Sequence, residues 1–173
     1  RVLVLLAVAL HRLPEDVRNH NLLLPPVDRR ILDLANRLTA GLPDDVSRAR
    51  AIENHLLTQY AYSLAPLEKE ADDPLAHFLF ERRKGHCEYF ASATVLLLRA
   101  LGLPARYATG FSVHEFSEWE NRFVVRARHG HAWALVWMDG AWRDLDTTPP
   151  SWIEQENKAA SLTEPLSDLW AWC

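Results

Sequence analysis

Cysteine, glycine and methionine are all scarce in this chain of 173 residues, which holds two, six and one of them. Two cysteines exclude a disulfide framework. Cys87 and Cys173 can form one bridge at most, and only if the tail folds back onto Cys87. Membrane-length apolar runs are missing too. The stretch "VLVLLAVAL" at 2–10 is too short to span a bilayer and lacks the small-residue cleavage site of a signal peptide. It reads as a buried strand or helix, or as the stub of a longer segment. A chain that starts at Arg1 reads as a fragment or a processed form. Positive charge is not in excess: 19 Lys and Arg against 23 Asp and Glu give a formal net charge of −4. The densest basic stretch, "ERRK" at 81–84, suits a solvated helix end, so no nucleic-acid partner is expected. Internal repeats and low-complexity tracts are absent.

What is present fits one globular domain with a real core: 49% hydrophobic and 24% charged residues. The organisation expected is an N-terminal extension over 1–26, a core over 27–150 and a tail over 151–173. The end of the tail, "EPLSDLWAWC", suits packing on the core or a membrane-interface anchor, since Trp favours that layer.

Helical signals come first. "DRRILDLANRLTAGLP" places Ile31, Leu34, Ala35 and Leu38 on one face before Gly41 and Pro43 stop it. "DDVSRARAIENHLLTQYAYS" lines up Val46, Ala49, Ile52, Leu56 and Tyr60 behind an Asp44 or Asp45 cap. "DDPLAHFLFERRKG" reads as a short helix from Pro74 to Gly85. A fourth run keeps the 3.6 period through Phe90, Ala91, Thr94, Val95, Leu98 and Leu101, then closes at Gly102 and Pro104. After Pro104, "ARYATGFSV", "NRFVVRAR", "HAWALVWM" and "AWRDLD" are rich in aromatic and β-branched residues and read as strands. Helices followed by strands predict an α+β fold with an antiparallel sheet.

"KGHCEYFASA" places Cys87 at the start of the fourth helix. A helix N-terminus lowers a thiol's pKa, and its free N–H groups can hold an oxyanion. Gly85 allows close approach there. A nucleophilic cysteine needs a base. His11, His20, His55, His77 and His114 carry no partner signal. His86 adjoins Cys87 in sequence, but adjacent helical residues do not face each other. His129 and His131 remain.

"WM-DG-AW" is a two-residue hairpin signal, and its register sets Met138 against Ala141, Trp137 against Trp142 and Trp133 against Asp146. His131 then faces Thr148, with Asp146 as its diagonal neighbour on the same face. His129 shares that parity but lies farther from the hairpin tip, and Asp144, opposite Leu135, shares the face but sits farther from the His131 end, so the hairpin favours His131 with Asp146. The pattern is nucleophile, base and base-orienter. Two rival readings stand beside it: a binding module without catalysis, and a metal site built from His86, Cys87, His129 and His131, whose spacing matches no familiar ligand set.

At these residues the chain resembles the transglutaminase-like superfamily, a branch of the papain-like cysteine enzymes, and is most similar to its bacterial protease-like members. The matching segments are "FLFERRKGHCEYFASATVLLLRALGLPARYATGF", "HAWALVWMDGAW" and "DLDTTPP", with "AIENHLLTQYAYS" as a weaker match. The resemblance implies a papain-like fold and acyl transfer on a protein or peptide amide. It implies Cys87 as nucleophile, His131 as acid and base, and Asp146 as its orienter, with no cofactor or metal. It also implies an extracytoplasmic setting in which the whole protein is tethered by membrane helices. Tyr60, Trp119 and Trp133 are the aromatic candidates for lining a substrate groove.

Overall fold

The computed structural model describes residues 12–65 and 72–159. The apolar run at 2–10, Cys173 and the Trp-rich end of the tail lie outside the described residues.

α1 spans Glu15–His20, α2 Arg29–Thr39 and α3 Asp45–Gln59. Aspartates cap α2 and α3, the Asp44 cap being the one expected, while α1, which was not expected, starts at Pro14 without a side-chain cap. Asp28 accepts from the Arg30 N–H and Asp44 from the Ser47 N–H, each at 2.8 Å, which satisfies donors that a helix start leaves open. Behind those caps Ile31, Leu34 and Ala35 of α2 and Ala49, Ile52 and Leu56 of α3 point into the core. α1 does not enter the core through its own side chains, since none is buried.

The segment from Pro74 departs from the expected single helix. α4 covers only Pro74–His77, capped by Asp73, and the chain then widens into a π-helical turn over Phe78–Arg82. Arg83 ends it in the left-handed region at φ 52°. The extra residue keeps Phe78 and Leu79 buried while freeing β2, Lys84–Gly85, to pair in parallel with β1, Ala61–Tyr62. Tertiary pairing overrides the local helical signal here. The solvated reading of "ERRK" agrees with the exposure of Glu81, Arg83 and Lys84.

α5, Cys87–Ala100, buries Phe90, Ala91, Ala93, Thr94, Val95, Leu97 and Leu98. That is wider than one stripe, because α2 and α3 cover one side and the main sheet the other. The sheet is antiparallel in the order β3 (Ala105–Phe111), β6 (Gly130–Met138), β7 (Ala141–Leu145). Met138 pairs with Ala141 and Trp137 with Trp142, the register read from the sequence. Asp139 and Gly140 make the turn at φ 53° and 73°, two positive values that match the strands' twist. Ala132, Ala134 and Val136 are buried against α5 on one face of β6, while His131 and Trp133 alternate to the other.

"NRFVVRAR" is mostly not a strand. β5 covers only Arg122–Val124 and pairs with β4, Glu115–Ser117, which the sequence did not single out. Ala127–His129 instead tightens into a 3-10 turn, held by the Arg126 N–H donating to His129 Nδ1 at 3.1 Å. Within the segment read as a tail, α6 spans Trp152–Ala159 and Trp152 joins the core. No helix among the described residues is long and apolar enough to cross a membrane.

Phe90 sits under the Cys87 end of α5, fully buried, with ring centroids 5.1 Å from Phe78 and 6.4 Å from Tyr60. Phe90→Ala is predicted to cost about 3–5 kcal/mol in urea unfolding; a loss under about 1 kcal/mol would contradict this account of the core.

Candidate active site

His86 is what starts α5. Its backbone is extended at φ −90°, ψ 177°, so it is the N-cap and not a helical residue. Helical spacing does not apply to an N-cap, so His86 is not kept from its neighbour: it lines the same groove as Cys87, and the thiol raises its pKa. Gly85 before it has little room, since a Cβ there would lie 2.9 Å from the Tyr89 ring and 3.1 Å from that of Phe78. The close approach expected at Gly85 is therefore made by side chains.

Cys87 is a half-buried free thiol. Burial pushes its pKa up. The neighbouring His131 and His86 rings and the Ala132 backbone N–H favour the thiolate, outweigh that and bring it down to about 7. His131 shows the mirror image. Burial pushes the imidazole down, but the hydrogen bond to Asp146, then the neighbouring Cys87, lift it to about 9. Its Nε2 lies 2.9 Å from Asp146 Oδ2. Asp146 is raised by burial, but the hydrogen bond and charge of His131, with the Thr148 N–H at 3.1 Å, hold it below the usual carboxylate range. Nε2 being committed to Asp146, Nδ1 is the ring nitrogen left for the thiol. Nδ1 is buried and has no completed hydrogen bond in this resting geometry, a looseness common before substrate tightens a site.

The imidazole is also clamped by stacking. The Trp152 ring lies nearly parallel to it at 4.3 Å, and that of Trp133 at 6.2 Å. An aromatic face favours the protonated ring. Beneath this, Thr94 and Thr147 hydroxyls meet at 2.8 Å, and Thr94 also donates to the Phe90 carbonyl. That buried contact ties α5 to the segment carrying Asp146.

Cys87 and His131 open onto a groove of about 580 Å³ lined by Tyr62, Leu64, His86, Thr109, Phe111 and Glu156 among others. The Tyr62 hydroxyl donates to Glu156 at 2.5 Å, joining β1 to α6 beside the groove. None of the three expected aromatic residues lines it. Tyr60 is buried, and its hydroxyl donates to the Leu79 carbonyl at 2.8 Å, so it belongs to the core; Tyr62, two residues on, takes the groove position. Trp119 is fully exposed at the tip of the β4–β5 arm. Trp133 flanks His131, with its indole N–H donating to Asp144 at 2.8 Å. His129 does not join the thiol either: it is buried beside His114, its Nδ1 bonded to Arg126 and its Nε2 3.5 Å from Glu115. Sequence reasoning missed His86, Tyr62, Trp152 and Glu156. Only the N-cap position of His86 had a local signal.

The shift on His131 yields a direct expectation. Asp146→Asn removes the charge that lifts the ring while burial remains. The His131 titration read by NMR should fall from about 9 toward or below the ordinary histidine value of about 6.5. A titration that stays near 9 would show that Asp146 does not set it.

With this geometry in view, three comparisons bear on the chain. The family model described as transglutaminase-like superfamily matches residues 32–147. A protein-glutamine gamma-glutamyltransferase of Pseudomonas aeruginosa is 36% identical over 115 residues, 63% of this chain and 17% of that protein. The uncharacterized protein YebA of Bacillus subtilis is 30% identical over 127 residues, 69% of this chain and 17% of its own length. Among solved structures, the periplasmic domain of TgpA from Pseudomonas aeruginosa bound to ethylmercury superposes with a TM-score of 0.74 at 30% identity, covering 84% of this chain and 54% of that one. The chain thus spans about a sixth of those two curated relatives. The family match takes in the Cys87 helix, the hairpin and Asp146. The chain belongs to the transglutaminase-like superfamily.

Proposed function

We propose that this domain performs cysteine-dependent acyl transfer on a protein or peptide amide through Cys87, His131 and Asp146. The observation that carries the reading is the meeting of Cys87, at the start of α5, and His131 in one groove, with His131 Nε2 held 2.9 Å from Asp146 Oδ2. The thiol is lowered to about 7 and the imidazole raised to about 9, so thiolate and imidazolium coexist between them.

The Cys87 sulfur attacks the amide carbonyl carbon, and a C–S bond forms as the carbonyl electrons move to oxygen. The Cys87 backbone N–H, free at the helix N-terminus, is the candidate donor to that oxyanion. His131 gives its Nδ1 proton to the leaving nitrogen, the C–N bond breaks, and an amine departs. A thioester remains. Water or a second amine then attacks it while His131 takes a proton, and the C–S bond breaks to return the thiolate–imidazolium pair. Water gives hydrolysis or deamidation; an amine gives a crosslink. Asp146 keeps the ring oriented and its charge favourable throughout. The name of the Pseudomonas transferase supports glutaminyl amides as donors. The periplasmic relative supports an extracytoplasmic setting, and the sixth of the curated relatives that this chain spans supports a place in a longer protein.

Two outcomes follow. Cys87→Ala should lose turnover of a glutamine-containing peptide by on the order of a thousandfold or more, with an unchanged circular dichroism spectrum; retained turnover sinks the mechanism. In the intact protein kcat/KM should be bell-shaped. It should rise as the thiol ionises near pH 7 and fall as the imidazole loses its proton near pH 9, both limbs belonging to the coupled pair. A single rise with no alkaline limb would remove His131 as the proton donor.

A further inference from the structure

The outer edge of β3 leads into the Cys87 groove, and its hydrogen-bonding parity is fixed at both ends. The Pro104 carbonyl accepts from Trp137, and the Ser112 N–H donates to the His129 carbonyl, so even-numbered residues face β6. The pairing between them runs without a bulge from Ala105–Val136 to Phe111–Gly130. Odd-numbered residues therefore turn their N–H and C=O outward. Ala105 confirms this. Its N–H donates to the Asn21 carbonyl at 3.1 Å, and its carbonyl accepts from the Arg99 guanidinium.

That cover stops at Ala105. Tyr107, Thr109 and Phe111 have the same outward parity. Among the described residues no strand pairs with β3 on that side, and no backbone hydrogen bond is made there. All three are exposed, Tyr107 at 42% and Phe111 at 59%. An open row of this kind is ordinarily a liability that folds cover or blunt. Here it runs along the site. Thr109 and Phe111 line the groove with Cys87. Tyr107, whose hydroxyl is raised by burial and then by Glu88 and Cys87, lies within electrostatic reach of the thiol. A second cleft of about 660 Å³, lined by Arg99, Arg106 and Tyr107, continues from the covered start of the same strand. The two clefts lie in succession along one unpaired edge, Tyr107 lining the second and Thr109 and Phe111 the Cys87 groove, and so mark a track for an extended chain.

We propose that an extended segment of the polypeptide acyl donor binds by adding a strand to β3, pairing with Tyr107, Thr109 and Phe111 and bringing its reactive side chain to Cys87. The proposal rests on the acyl-transfer reading above. Main-chain pairing supplies affinity that tolerates sequence, and the apolar faces of Tyr107 and Phe111 favour apolar groups at alternate donor positions. From Tyr107 to Phe111 the edge spans about 13 Å, the length of roughly five residues.

The test is an N-methyl scan on the full chain. Heptapeptides bearing a chloroacetamide on the central side chain label Cys87, and the rate is read by mass spectrometry, with iodoacetamide as the non-peptide control. Strand addition predicts that N-methylation slows labelling about three- to tenfold at every second residue and leaves the intervening ones unchanged, the effect of one lost hydrogen bond each. A flat scan, or equal losses at all positions, with iodoacetamide still labelling Cys87, overturns strand addition and leaves the acyl-transfer reading standing. A second copy or another segment of this chain on the edge would give that flat scan. If iodoacetamide also fails to label Cys87, both fall.

Discussion

The hydrogen bond between His131 Nε2 and Asp146 Oδ2, 2.9 Å long and largely buried, is the constraint on which the site depends. It commits one ring nitrogen and leaves the other for the thiol. It also holds a charge inside the protein, which is tolerable only if the carboxylate is itself well satisfied. Thr148 supplies an N–H to Asp146, and the adjacent Thr147 is tied to Thr94 on α5. The helix that carries the thiol and the strand end that carries the carboxylate are thus fastened by one short polar contact under an otherwise apolar core. Trp152 and Trp133 complete the arrangement by fixing the plane of the imidazole.

From this constraint the roles of the outer elements follow. The parallel β1–β2 pair is only two residues long, yet it delivers Tyr62 to the groove and sets the chain direction entering α5. The π-helical turn makes that pairing possible without exposing Phe78 or Leu79. α6 returns across the opposite side, placing Trp152 on His131 and Glu156 on Tyr62. Residues far apart in sequence close the site, while Cys87 and His131 sit on the two most regular elements. Rigid elements hold reacting groups more closely than loops do.

Much of this was legible in the sequence wherever a short-range rule applied. Asp139 and Gly140 announce a two-residue turn, and the turn dictates the register, which the strands keep as far as Ala134–Leu145. Carried past that last pair, the same register puts Asp146 diagonal to His131, and the two side chains meet at 2.9 Å. The periodicity starting at Cys87 placed the thiol at a helix start. The failures share one cause: they depend on contacts with no local period. Nothing around Trp152 marks it as a partner of His131 across 21 positions of sequence. Tyr60 and Tyr62 look alike in sequence; only the β1–β2 pairing decides which reaches the groove and which is buried. His86 was within reach of a capping argument, since the residue before a helix is extended and need not obey helical spacing.

The central claim is that His131 holds Cys87 as a thiolate near neutrality. The most direct measurement is the rate of Cys87 alkylation against pH, read by peptide mass spectrometry in the wild type and in His131→Ala, with Cys173 as a second thiol in the same digest. The account predicts a wild-type midpoint near pH 7. It predicts that His131→Ala moves the midpoint up toward or past the ordinary thiol value of about 8.5, because burial is then left less opposed. Coincident profiles for the two proteins, or a wild-type midpoint at the ordinary thiol value, would contradict it.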